Sequence, residues 1–337
     1  MSEATMPFEE TEPKRRRFFA VLFGLTLLPL FALPTMAVTQ VRFDSSLLLG
    51  LAIFAGGVGH VASTASVYVD RSVREVMRPM PLRFVVVPVV SIAATLGAVF
   101  WGASAPPSDA AVAGMYILHL GWLHYHYQRQ NYGIIAFSAA ASGTRVPRRL
   151  DRVLLLPALA GCLAVMPVFL EGAFADVTFW RPLAPWFRPA SSAAFLLGVA
   201  GLAALVLREP APFRNPRTAG FVAAAFAFFL PAVVLEHTDY AFWSYALAHG
   251  FQYLFMVFVL ARGRERRLLH GAWYLVCALL GGFALHRLAG NNALFAAGIL
   301  LTWVHFVLDA RLWKMSEAGP RRLLRERFDF VFGASGR

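Results

Sequence analysis

"KRRRFFAVLFGLTLLPLFALPTMAV" (residues 14–38) sets four cations directly before 21 residues that carry no charge. At a rise of 1.5 Å per residue a helix over 18–38 reaches about 30 Å, the thickness of a bilayer's hydrocarbon core. The run is longer than the apolar centre of a secretory signal, so it is expected to stay as a first membrane helix. The same pattern recurs along the chain. Further runs of this kind occupy roughly 46–69, 84–104, 110–127, 153–171, 189–207, 218–235, 240–262, 270–287 and 293–310.

Composition agrees with that pattern. The chain of 337 residues is 58% hydrophobic and 15% charged, with a mean hydropathy of +0.59. Soluble domains carry about 25% charged residues, so the deficit points to a polytopic membrane protein. The net charge of +12 is not a nucleic-acid footprint, because of where the cations lie. With the N-terminus inside, all but Arg42, Arg181, Arg188 and Arg287 of the 31 Lys and Arg residues fall on cytoplasmic segments. That is the positive-inside bias. The expected architecture is an all-α bundle of about ten transmembrane helices in a bacterial-type inner membrane, with both termini cytoplasmic. Residues 1–17 and 311–337 are then basic cytoplasmic tails, 18–310 is a single transmembrane domain, and the basic loops have affinity for anionic lipid headgroups.

Three other segments invite a reading. "GIIAFSAAASG" (133–143) is apolar but too short to span, and is expected to lie at the cytoplasmic interface. The loop 172–190 is rich in Trp, Phe and Pro, as an interfacial or lid segment is. "RRLLRERFDFVF" (321–332) is either an amphipathic helix on the inner membrane surface or a solvated tail. The two cysteines, Cys162 and Cys277, fall within separate spans and read as packing residues.

The histidines carry the chemistry. His237, His270 and His286 fall at loops or helix ends. His60, His119, His124, His126, His249 and His305 come from four different spans. The helical rise puts His60 and His119 roughly 15 Å, His305 roughly 9 Å and His249 roughly 20 Å from the cytoplasmic boundary. Imidazoles of comparable depth on separate helices are the pattern of a metal site in a bundle core. "LHLGWLHYHYQRQNYG" (118–133) puts His119 and His126 on one face with Gln130 behind them, while His124 points toward Trp122, Tyr125 and the headgroups. The expected metal ligands are His60, His119, His126, His249 and His305. Polar neighbours at helical spacing supply outer support: Thr64 after His60, Gln252 and Tyr253 after His249, and Asp309 after His305. Asp309 and Tyr253 are the expected catalytic residues, and Thr64, Gln130 and Gln252 the supporting shell.

Neutral imidazoles with a carboxylate suit Fe(II) first and also Zn or Cu; two isolated thiols exclude a thiolate site. Glu171, Glu236 and Asp239 fall at the outer surface, so no acidic chain crosses the core as a proton pump requires. A site reached from the bilayer takes a lipid or other hydrophobic small molecule, and oxidative chemistry calls for an electron donor. A polytopic bundle with histidines on separate helices, one of them in "GVGHVAST" (57–64), resembles the Brp/Blh-type membrane carotene dioxygenases. More loosely, it is similar to the membrane desaturases and hydroxylases. The resemblance is one of architecture and residue type. It implies non-haem iron held by four histidines, acting on a lipophilic substrate, without assigning those ligands to positions here. Two other readings stand beside it: a haem protein with histidines as axial ligands, and a non-catalytic transporter or assembly protein.

Overall fold

Backbone N–H and C=O groups in an apolar setting must find partners within their own segment, and helices provide them. All regular structure among the described residues is helical. A computed structural model describes residues 8–40, 54–64, 68, 70–91, 93, 109–173, 180–236, 238–261 and 292–333. The expected span 270–287, with Cys277, His270 and His286, lies outside the described residues, as do His237, the basic run 262–267 and much of the spans 46–69 and 84–104.

The elements run α1 (Phe8–Val38), a π-helical turn (Phe54–Gly59), α2 (His60–Ser63), α3 (Arg71–Met77), a second π-helical turn (Leu82–Val86), α4 (Asp109–Ala141), α5 (Leu150–Ala173) and α6 (Ala184–Arg208). They continue with α7 (Pro216–Ala227), α8 (Leu230–Val234), α9 (Thr238–Ala261), α10 (Asn292–Leu312), α11 (Ala318–Arg327) and α12 (Asp329–Phe332). Among the described residues, five stretches are long and apolar enough to cross a membrane: Glu12–Val38, Leu150–Glu171, Arg181–Arg208, Pro216–Val234 and Asp239–Ala261. They fall on the expected spans 18–38, 153–171, 189–207, 218–235 and 240–262, as an integral membrane protein requires.

The region of 133–143 differs from its expectation. It is no separate helix: residues 133–141 are the end of α4, which runs unbroken for 33 residues. Between Asp109 and Ala141 the sequence has no proline, and Gly133 is tolerated inside the helix. Termination waits for Gly143, whose φ of +69° is the left-handed conformation glycine accepts. There the N–H groups of Gly143 and Thr144 donate to the carbonyls of Ala140 and Ala139, closing the last turn.

The chain divides into two compact units, residues 1–22, 46–106 and 250–337 in the first and 23–45 and 107–249 in the second. In the second unit α4 packs on α5 and α7, and α6 packs along α5. The break between α7 and α8 precedes Pro231, which has no N–H to continue the ladder. Carbonyls in the last turn of a helix need outside donors, and the Gln128 side chain of α4 donates to Ala225 O at 3.3 Å.

In the first unit α10 packs on α2 and the second π-helical turn, and α11 packs on α3. Asp70 caps α3 by accepting from the N–H groups of Ser72 and Val73. The same carboxylate takes Arg327 Nη2 at 2.7 Å, while Arg327 Nη1 donates to Leu260 O on α9. Leu323, Leu324, Phe328 and Val331 are buried, and the Phe328 and Phe330 rings meet Phe18 of α1. The segment 321–332 therefore turns its apolar face to its own chain.

Candidate metal centre

In the first unit the pieces converge from α2, α9 and α10. The small residues before His60 permit a close crossing with α9: a Cβ on Gly250 would strike the carbonyl oxygen of Gly56. That carbonyl also lies 2.6 Å from His60 Nδ1. A carbonyl only accepts, so Nδ1 carries the hydrogen and Nε2 keeps its lone pair, the tautomer a metal ligand needs. The His60 and His305 rings meet edge to face with centroids 5.1 Å apart.

His305 and Asp309 stand one turn apart on α10, and both are buried. A donor atom of His305 lies within 4.8 Å of one on His60, and likewise of one on Asp309. Two nitrogens each about 2.1 Å from one ion are at most about 4.2 Å apart, so gathering them asks for a shift of no more than about 0.6 Å. His305 thus lies close enough to each of His60 and Asp309 to share an ion with either, and both pairs are buried.

Tyr253 of α9 packs against both rings, 4.8 Å from His305 and 5.9 Å from His60 between centroids. Its hydroxyl is 3.1 Å from Thr64 Oγ1, which is 2.7 Å from His305 Nδ1. Thr64 thus supports His305, 241 positions away, although sequence spacing alone pairs it with His60, one turn back. Gln252 is also buried.

In the second unit the His126 ring meets His249 at 4.9 Å, edge to face, and Tyr127 lies 4.3 Å from His249. The Gln130 amide donates to the His249 backbone carbonyl at 3.0 Å, tying α4 to α9 at the level of the histidine.

The remaining two histidines of α4 have different surroundings. His124 is not among headgroups. It is 1% exposed, with Nδ1 2.7 Å from Leu120 O and Nε2 2.8 Å from Tyr245 Oη. Its Nδ1–H donates to the carbonyl and its Nε2 accepts the phenol hydrogen, so both nitrogens are committed to structure. The continuation of α4 beyond residue 127 explains this: His124 is mid-helix, not at a helix end. His119 is buried, but among the described residues no trio of ligand donors gathered within 4.8 Å includes it. Sequence reasoning missed Tyr245 and Tyr127, although Tyr245 precedes His249 by one helical turn.

No protein-family model matches this chain, and no curated protein or solved structure matches it either.

Proposed function

We propose that the chain is an integral membrane metalloprotein that uses a histidine-bound transition metal to oxidise a lipophilic substrate. Within the first unit His60, His305 and Asp309 are the proposed ligands; within the second, His126 and His249 are a candidate pair of their own. The observation that carries the reading is the buried His60–His305 contact with Asp309 beside it, in which His60 already presents Nε2 as a lone pair.

Two imidazoles and a carboxylate are the donor set of non-haem Fe(II) oxygenases, which makes iron the first expectation and Zn or Cu the others. Imidazole rings in edge-to-face contact suit a single ion better than a haem, whose macrocycle separates its axial ligands. The apolar helices around the donors favour a lipid-like substrate entering from the bilayer, with an external electron donor. We place the chain in a bacterial-type inner membrane as about ten helices with both termini cytoplasmic, its basic loops against anionic headgroups, on the strength of the charge distribution.

Elemental analysis and an absorption spectrum of the detergent-purified protein test the reading. The expected result is bound metal that co-purifies with the chain, with no Soret band. Alanine at His60 or His305 should remove it, while His119→Ala retains it. A metal-free protein, or one whose metal survives loss of both His60 and His305, refutes the proposal.

A further inference from the structure

Thr64 has one hydroxyl hydrogen and two close partners, His305 Nδ1 at 2.7 Å and Tyr253 Oη at 3.1 Å. Thr64, His305 and Tyr253 are all buried, 4%, 1% and 2% exposed, so no bulk water competes for that hydrogen. A hydroxyl donates once and accepts up to twice. The row Tyr253–Thr64–His305 therefore has two directions. In one, Tyr253 donates to Thr64 and Thr64 donates to His305 Nδ1, which leaves the hydrogen of the neutral imidazole on Nε2. In the other, His305 Nδ1–H donates to Thr64, and Thr64 donates to the Tyr253 oxygen. Only the second frees the Nε2 lone pair of His305.

We infer that Thr64 is a positioning residue that selects the metal-ligating tautomer of His305, and that Tyr253 is the acceptor that completes the selection. This rests on the metal-binding reading above and names the device that makes it work at His305. At His60 the corresponding task falls to a backbone carbonyl, Gly56 O, which can only accept and so holds one tautomer permanently. At His305 the partner is a hydroxyl, which can reverse. The two imidazoles are thus supported unequally: the partner of His60 Nδ1 fixes its tautomer, whereas the tautomer of His305 follows the direction of the row. A metal held at His305 Nε2 would keep the row in the second direction, with Thr64 donating to the Tyr253 oxygen.

The test uses the full chain in detergent, with Co(II) titrated as a spectroscopic probe into wild type, Thr64→Val, Thr64→Ser and Tyr253→Phe. Valine keeps the shape of threonine and loses the hydroxyl; serine keeps the hydroxyl and loses the methyl. Loss of an oxygen behind a ligating histidine weakens metal binding about 10–100-fold. Thr64→Val should show that loss, Thr64→Ser should bind as wild type does, and Tyr253→Phe should fall between. Melting curves of the metal-free variants identify any that misfold, and Thr64→Ser then carries the comparison. Tight Co(II) binding by Thr64→Val together with weak binding by Thr64→Ser would mean that Thr64 acts by packing, and overturns the inference alone. Wild type that takes up no Co(II) overturns the metal-binding reading as well.

Discussion

Gly250 sits beside a candidate ligand without being one, which makes Gly250→Ala a test of how tightly the first unit is built. An alanine Cβ would land on the Gly56 carbonyl, with the Gly56 carbonyl carbon 2.5 Å and its Cα 2.8 Å away. Carbon atoms rest about 3.5–4.0 Å apart, so the two backbones must separate by roughly an ångström. Backbone cannot swing aside as a side chain can. Overpacking of this kind costs about 1–3 kcal/mol. The displaced carbonyl also holds His60 Nδ1 at 2.6 Å, and weakening that bond adds about 1 kcal/mol. Together these give about 2–4 kcal/mol, a drop in melting temperature on the order of 5 °C or more for a chain of this size. The assay is thermal melting in detergent with bound metal measured on the same preparation, and both should fall. Gly121→Ala is the control, because a Cβ at Gly121 meets nothing within 4 Å. If Gly250→Ala melts and binds metal as Gly121→Ala does, the crossing is not tight and His60 does not depend on Gly56 for its orientation.

Two further outcomes follow from buried polar pairs. Arg327→Ala leaves Asp70 without its partner and Leu260 O without its donor; the loss should be roughly 3 kcal/mol, the low end for a buried pair because Asp70 is partly exposed, read as a lower melting temperature and faster proteolysis of the C-terminal segment. His124→Phe keeps the ring volume but strands the Tyr245 hydroxyl, which should cost about 1–3 kcal/mol while leaving metal content unchanged; loss of metal instead would put His124 in the site.

Charge and apolar length make the helical class readable in advance, because both are summed over twenty residues and tolerate local error. Where one helix stops is a different kind of question. The stretch 133–143 is too short to cross a membrane by itself, and length arithmetic therefore detaches it from 110–127. The chain obeys a local rule instead: helix continues until a residue able to adopt positive φ closes the last turn, and that residue is Gly143. The C-terminal segment illustrates the same limit. Its alternation of charge and bulk shows that one face will be buried, but it is Arg327 reaching Asp70, 257 positions away, that determines what covers it.

The site divides along the same line. Helical spacing identifies which residue types face the same way, and it places His305 with Asp309 and His249 with Tyr253. It cannot tell a ligand from a structural histidine, because that depends on what meets the second nitrogen. For His124 a tyrosine hydroxyl from another helix meets Nε2, and the lone pair is spent. For His60 a carbonyl of its own helix meets Nδ1, and Nε2 keeps its lone pair. Both histidines sit four residues after the carbonyl they bond, so the sequence within each helix is the same in kind. The difference lies in the opposite partner, which comes from 121 positions away in the case of His124. A histidine's role in this chain is therefore decided by the helix that packs against it, and the substitutions at Thr64, Tyr253 and His124 each probe one such decision separately.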